Sequence, residues 1–330
     1  MKAALTSRDA LLTYAIFAMT AGIAYRFPAF ITPSSLANTF NDTAPLMILV
    51  IGQMIVILTK CIDLSVAATL ALTGMVAALL DGAGVPLALV IPAAIALGAI
   101  LGMINGLLVW RVGIPSIVVT LGTMTIYRGI IFLMTDGKWV NAHEMSDAFK
   151  ALPRLHLLGL PVMSWVAIAV IAVFGLIMTR TVLGRSFYAV GGNPHAAVYA
   201  GIDVGRTQFA AFTISGALAG LVGYLWVSRY AVAYVDVAGG FELDVVAACV
   251  IGGVSIAGGI GGVRGAILGC IFLGIIKNAL PVIGVSPFWQ MAISGTAIVL
   301  AVAVNALQNR PKGRLILKPD VPSSAQKVQA

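Results

Sequence analysis

Ionisable groups set among apolar residues are costly in hydrocarbon and mark function by default. Arg128 stands inside Thr123-Met124-Thr125-Ile126-Tyr127-Arg128-Gly129, where it either pairs with a carbonyl or acid of its own bundle or lines a cavity. Asp63 lies between two apolar runs in Lys60-Cys61-Ile62-Asp63, Asn105 lies within another run, and Lys277-Asn278 close a third, from whose end the lysine can snorkel outward. An intramembrane enzyme needs polar groups facing one another at one depth, whereas Gln53, Asn105, Arg128, Lys277, Asn278, Gln290 and Asn305 are scattered. His143, His156 and His195 fall in polar loops without ligand spacing, and Cys61, Cys249 and Cys270 have neither disulfide nor zinc spacing. No nucleophile elbow with a partnered histidine occurs, and no Gly-x-x-x-x-Gly-Lys-Ser/Thr loop offers a phosphate cradle. The residues therefore predict no enzyme, no cofactor and no metal.

The loop at 180–207 points to recognition instead. Asn193 suits a helix N-cap, Pro194 the first helical position and Gly201 the position past the end. The enclosed helix, 194–200, is about two turns long and too short to stand alone in water. It must pack on something, and Ala196, Ala197, Val198 and Tyr199 give it a small apolar surface. The residues alone fit either a helix lying back on its own bundle or one that docks a cytoplasmic partner.

These groups belong to a chain of 330 residues, 60% hydrophobic and only 10% charged, with a mean hydropathy of +1.03. Soluble domains carry about 25% charged residues, so the polar side chains here cannot cover a water-facing surface. The composition predicts an all-α polytopic bundle in contact with membrane lipid, one transmembrane domain over 1–330. The net charge of +8 is spread through loops, with no basic stripe interleaved with aromatics, which excludes a nucleic-acid footprint. The first apolar stretch, Leu11 to Ala24, lacks a small-residue cleavage site and reads as a membrane helix rather than a signal peptide.

At about 20 apolar residues per crossing, ten spans are predicted, near 11–31, 44–60, 64–80, 87–110, 114–134, 161–179, 208–229, 243–257, 263–282 and 287–306. With the N-terminus inside, the inner set of basic residues is Lys2, Arg8, Lys60, Arg111, Arg180, Arg185, Arg206, Arg264, Arg310, Lys312, Arg314, Lys318 and Lys327. Only Arg26, Lys138, Lys150 and Arg154 fall in outer loops, so the basic excess puts both termini in the cytoplasm, including a basic tail at 307–330. The outer loop at 135–160 is long enough to hold a short amphipathic segment on the membrane face. Two five-span halves meet near residue 160. Each holds an interrupted pair, around Asp63 and around Gly258-Gly259-Ile260-Gly261-Gly262, the pattern that inverted repeats leave in transporters. Gly98-x-x-x-Gly102-x-x-x-Gly106, Gly216-x-x-x-Gly220 and Gly265-x-x-x-Gly269 are small-residue stripes that let helices approach closely.

Four stretches carry a resemblance. Gly191-Gly192-Asn193-Pro194-His195-Ala196-Ala197-Val198-Tyr199-Ala200-Gly201-Ile202 resembles the cytoplasmic loop of the membrane subunits of bacterial ABC importers for monosaccharides, the ribose and xylose permease family. Gln53-Met54-Ile55-Val56-Ile57-Leu58-Thr59 with Ile62-Asp63-Leu64-Ser65-Val66 resembles that family's second-to-third span junction. Pro115-Ser116-Ile117-Val118-Val119-Thr120-Leu121-Gly122-Thr123 resembles the start of its fifth span. Phe241-Glu242-Leu243-Asp244 with Val250-Ile251-Gly252-Gly253-Val254-Ser255-Ile256-Ala257-Gly258-Gly259 resembles its eighth-span region, and the likeness runs in order over residues 35–305. Lys60-Cys61 and Ala67 depart from the usual small residues and resemble the rhamnose-type branch more than the ribose type.

The resemblance implies a permease subunit of the inner membrane that dimerises, with itself or with a second permease chain, to form a sugar pathway. It implies ATPase subunits docked on the 194–200 helix through Asn193, Pro194, Ala196, Ala197, Tyr199 and Gly201, and a periplasmic sugar-binding protein on the outer loops. Asp63, Asn105 and Arg128 stay as polar residues of the pathway or of the bundle. A stand-alone secondary carrier is the competing reading. A proton-coupled carrier usually needs an acid within a span, and Asp63 comes nearest to one.

Reporter fusions test the orientation. A fusion at Gln308 is expected to report inside and one within 140–150 outside; an outside signal at Gln308 would reverse the topology drawn from charge.

Overall fold

Apolar segments without water close their backbone hydrogen bonds internally, and helices do this at every residue. The computed structural model describes residues 8–282 together with 284, 289, 292, 295, 296 and 299, and over these the expected all-α bundle forms. In chain order the helices are α1 Arg8–Arg26, α2 Pro33–Leu58, α3 Val66–Gly82, α4 Leu87–Leu107, α5 Ser116–Thr135, α6 Asp147–Ala151, α7 Val162–Arg180, α8 Val182–Gly192, α9 Pro194–Tyr199, α10 Val204–Tyr230, α11 Phe241–Ile251 and α12 Val263–Val282. A π-turn, Leu108–Val112, extends α4, and short 3-10 turns join some of the other elements.

Among the described residues six helices are long and apolar enough to cross a membrane: Pro33–Leu58, Leu87–Val112, Ser116–Thr135, Val162–Arg180, Val204–Tyr230 and Val263–Pro281. The third expected span, α3, is an apolar helix of 17 residues, and the eighth, α11, has only 11. The expected span at 287–306 falls, but for five positions, outside the described residues, as does the tail at 307–330.

Two boundaries differ from the sequence expectation for physical reasons. Helix α2 starts at Pro33 rather than near 44. Thr32 caps it by accepting the Ser35 N–H at 3.3 Å, and its polar first turns find partners inside the protein. Ser164 Oγ donates to Asn41 Oδ1 at 3.1 Å, while Arg229 donates to the Asn41 carbonyl at 2.8 Å and pairs with Asp42. An apolar-run count misses helix whose polar residues are satisfied internally. The 180–207 segment, likewise, is mostly helical. Thr181 accepts the Gly184 N–H at 3.1 Å to start α8, which buries Phe187 and Val190.

α2 and α10 form the centre. From Ala44 to Leu58 every residue of α2 is buried, as expected of a helix apolar on all faces. α10 packs on α2, α3 and α4. The glycine stripes make that approach possible. A Cβ on Gly98 would overlap the Gly216 carbonyl oxygen, one on Gly216 the Gly98 carbonyl oxygen, and one on Gly102 the Phe212 carbonyl oxygen. Gly252 and Gly265 are reciprocal in the same way where α11 meets α12.

At the end opposite α8 and α9, the 136–161 segment is pinned to the rest of the bundle. Val140–Asn141 (β1) pairs antiparallel with Val232–Ala233 (β4), and His156–Leu157 (β2) pairs with Leu160–Pro161 (β3). The Ser146 N–H and hydroxyl both donate to Asp81, each at 2.7 Å, and buried Phe149 meets Tyr224 edge-on.

The close α4–α10 contact predicts an asymmetry among glycines. Gly98→Val is expected to destabilise by at least the overpacking range of about 1–3 kcal/mol, lowering the melting midpoint of the purified protein. Gly129→Ala, with open space around its Cα, should leave the midpoint in place. Equal midpoints would mean that α4 and α10 do not touch as described.

Candidate functional site

Between α2 and α3 the chain leaves helical geometry at Thr59–Ser65, with Thr59, Cys61, Asp63 and Ser65 buried in the bundle and Lys60 exposed at its edge. Non-helical backbone at such depth is tolerated only where protein supplies its partners. The chain first turns at Lys60, whose φ is +65°, with Thr59, Lys60 and Cys61 N–H groups donating back to the last carbonyls of α2. Beyond that turn the partners come from other elements. Gln208 Nε2 of α10 donates to the Thr59 carbonyl at 3.2 Å. The Ile62 N–H donates to Ser116 Oγ at 3.1 Å, and Thr120 Oγ1 donates to the Ile62 carbonyl at 3.3 Å, both from α5. The Gln53 amide of α2, turned to suit both neighbours, donates to the Asp63 carbonyl at 3.0 Å and accepts the Asp63 N–H at 3.2 Å.

The Asp63 side chain, 2% exposed, organises the far edge of this break. One carboxylate oxygen accepts the Ser65 N–H at 3.0 Å and the Ser65 hydroxyl at 2.6 Å. The other accepts the Ser215 hydroxyl of α10 at 3.2 Å. Asn105 Nδ2 of α4 donates to Ser65 Oγ at 2.8 Å, while Asn105 Oδ1 is buried without a partner among the described residues. No described Lys or Arg forms an ion pair with Asp63, which is held by neutral donors alone.

The structure thus brings Asp63 and Asn105 together through Ser65 and sets Arg128 apart. Arg128 donates to the carbonyls of Val235 and Val237, at 2.7 Å for the latter, and lies 3.8 Å from Asp236. It braces the 231–240 segment at the opposite end of the bundle. Beside that segment is a cleft of about 300 Å³ lined by Trp226, Tyr230, Val232, Tyr234 and Val237. Lys277 does not snorkel free but pairs with Asp244 across α11 and α12. The sequence reading quoted Ser65, Ser116 and Thr120 within its resembling stretches without giving them a role, and it missed Gln208 and Ser215. Their signal was the break itself, whose amides and carbonyls require donors and acceptors from neighbouring helices.

The capped helix forms as its residues predict, one residue shorter. The Asn193 side chain accepts the Ala196 N–H at 3.1 Å, Pro194 opens α9, and Gly201 takes a φ of +79° while the Ile202 N–H returns to the Ala197 carbonyl at 2.9 Å. The six expected docking residues are not on one face. Ala197 is 2% exposed and turned into its own bundle, whereas Tyr199 is 93% exposed. His195, Ala196 and Val198 are exposed with Tyr199 and make the outward surface.

Three of the four stretches singled out in the sequence meet the fourth here. The 59–65 break binds the start of α5, and Gly259, in the turn after α11, donates its N–H to the Leu58 carbonyl at 3.0 Å. The α8–α9 junction lies against both, because a Cβ on Gly191 would overlap the Leu58 carbonyl and the Gly259 nitrogen.

The family described as the permease component of the branched-chain amino acid transport system matches residues 35–302. The ribose import permease protein of Escherichia coli K12 is 36% identical over 88% of this chain and 91% of its own length. The corresponding ribose import permease protein of Haemophilus influenzae is 36% identical over 83% of this chain and 86% of its own. The autoinducer 2 import system permease protein of Klebsiella pneumoniae is 36% identical over 91% of this chain and 86% of its own. No solved structure matches. The chain belongs to this permease family and is a multi-pass membrane protein.

The backbone accounting of the break yields a stability test. Gln53→Leu strands the N–H and carbonyl of Asp63, at about 1–3 kcal/mol for each buried group left unpaired. Its unfolding midpoint is expected to fall well below that of Gln208→Leu, which leaves the Thr59 carbonyl with the Cys61 thiol as a remaining donor. A Gln53→Leu protein as stable as the parent would show that the break is not held this way.

Proposed function

We propose that this chain is the permease subunit of an ATP-binding-cassette importer for a monosaccharide, ribose-like or rhamnose-like, in a bacterial inner membrane. Relatives named as ribose and autoinducer 2 import permeases, similar over most of their length, support that reading. Arg8, Lys60, Arg111, Arg180, Arg185, Arg206 and Arg264 stand at or beside the span ends on the side of α8 and α9, against Arg26, Lys138, Lys150 and Arg154 on the other side, where Arg128, Arg229 and Lys277 lie within helices and are paired to acids or carbonyls. That excess supports a cytoplasmic α8–α9 end, with both termini expected on that side.

The carrying observation is α9 itself: a short helix fixed at both ends by caps, with an exposed apolar face at the basic end. Ala196, Val198 and Tyr199 offer this face to a groove on a cytoplasmic ATPase subunit, while Asn193, Pro194 and Gly201 hold its shape. Ala197 serves by anchoring the helix to the bundle rather than by touching the partner. The ATPase hydrolyses ATP, since the chain has no phosphate loop of its own. A periplasmic sugar-binding protein docks on the segments around 136–161 and 231–240, and a second permease chain completes the pathway.

Purified chain in lipid is expected to show no ATP turnover above background. Turnover and sugar uptake should appear when the ATPase is added and rise with the sugar-loaded binding protein. Facilitated sugar flux through the chain alone would favour a secondary carrier instead. Tyr199→Ala should cut ATPase co-purification with no change in permease melting. Ala197→Glu should lower the melting midpoint itself, because a buried charge costs several kcal/mol. A stable Tyr199→Ala permease that keeps its ATPase and transports normally would remove α9 from the docking role.

A further inference from the structure

Three backbone segments from distant parts of the chain touch at the basic end. Leu58 closes α2 and opens the 59–65 break; Gly258 and Gly259 lie in the turn between α11 and α12; Gly191 and Gly192 end α8, directly before the Asn193 cap of α9. The Gly259 N–H donates to the Leu58 carbonyl at 3.0 Å, and Gly191 sits on that bond, so that any Cβ there would overlap both of its ends. A Cβ on Gly258 would come within 3.2 Å of Gly191 Cα, and one on Gly259 within 2.7 Å of Gly192 Cα. At Gly191 and Gly259 backbone meets backbone directly, while the Lys60 side chain lies beside Gly258, its Cγ 2.5 Å from where a Cβ there would be. Gly192, the next residue, is exposed and has nothing within 4 Å of where its Cβ would be.

We infer that Gly191 is the positioning residue through which movement of α9 reaches both interrupted spans at once. The inference rests on the reading of α9 as the ATPase-docking helix. The Asn193 N–H bonds back to the Ala189 carbonyl at 3.1 Å, so the last turn of α8 and the first of α9 share a hydrogen-bonded corner. A push on α9 therefore arrives at Gly191. From there one path runs through the Leu58 carbonyl into the break that Asp63 organises. The other runs through Gly259 into the turn that leads to α12. Close-packed contacts transmit displacement because they have no slack, and a two-sided contact makes the two breaks answer together. The glycine is required because a methyl group would pry the corner off both segments. Docking, which uses the opposite face of α9, would survive.

The test uses the complete transporter, with permease, ATPase and sugar-binding protein reconstituted in liposomes, and compares Gly191→Ala with Gly192→Ala. Gly191→Ala is expected to melt lower than the parent and, assayed below that midpoint, to retain the ATPase and its basal hydrolysis. Sugar uptake, and the stimulation of hydrolysis by loaded binding protein, should both fall by about tenfold or more, within the range of an ordinary coupling loss. Gly192→Ala should match the parent in every measurement. Hydrogen exchange on the unaltered transporter supplies a readout that needs no variant. Trapping with a non-hydrolysable ATP analogue should change protection in 59–65 and 252–262 along with 181–203. Normal uptake and stimulation by Gly191→Ala, or an exchange response confined to 181–203, would overturn the inference while leaving docking intact. Failure of the parent chain to retain any ATPase would overturn docking and this inference together.

Discussion

A peptide segment that leaves helical geometry inside a lipid-facing bundle has no water to satisfy it, and the molecule is arranged around that constraint at 59–65. The break takes hydrogen bonds from α2 through Gln53, from α5 through Ser116 and Thr120, and from α10 through Gln208. The Asp63 carboxylate ties it further to Ser215 of α10, and Ser65 ties it to Asn105 of α4. A group left out of such a set costs about 1–3 kcal/mol, so the arrangement is stable only when nearly complete. That condition fixes the relative placement of four helices more tightly than apolar packing alone, which gives little directional preference when the surroundings are as apolar as the side chains.

Those side chains are short, and they reach only because the helices come close. A Cβ on Gly52 would stand 2.9 Å from Ser215 Cα, so α10 lies against α2 nearly backbone to backbone. On its other side Gly216 and Gly220 admit α4 through Gly98 and Gly102. The glycine stripes thus serve the polar break as much as dispersion. Widening either contact by a methyl group would carry Ser215 or Asn105 away from the Asp63–Ser65 pair. Packing and hydrogen bonding here are one constraint expressed twice.

Much of this was readable in the residues, and the rest was hidden for definite reasons. The apolar runs, the glycine stripes and the caps of α9 depend on local pattern, and Asn193, Pro194 and Gly201 do in the fold what their types suggest. The early start of α2 was hidden because Asn41 and Asp42 are satisfied by Ser164 and Arg229, residues far away in sequence. The inward turn of Ala197 was hidden because a six-residue helix is too short for periodicity to show which side is buried. Asp63 and Asn105 stood out as polar residues in apolar surroundings, but their shared contact through Ser65 depends on where α4 falls relative to the break. Arg128 had two readings, and its bonds to the Val235 and Val237 carbonyls select bracing of the opposite end.

The chemistry of Asp63 also bears on where the energy for transport enters. An acid that relays protons must at some stage exchange its proton with water or with another titratable group. Asp63 is 2% exposed, and both its oxygens are engaged by Ser65 and Ser215 rather than by water. Its bonds tie the two ends of the break to α10, which makes the break a unit that moves as a whole. Force must reach it from outside the buried network, and the route with direct backbone contact is the α8–α9 corner at Gly191, on the side where the apolar face of α9 is turned outward.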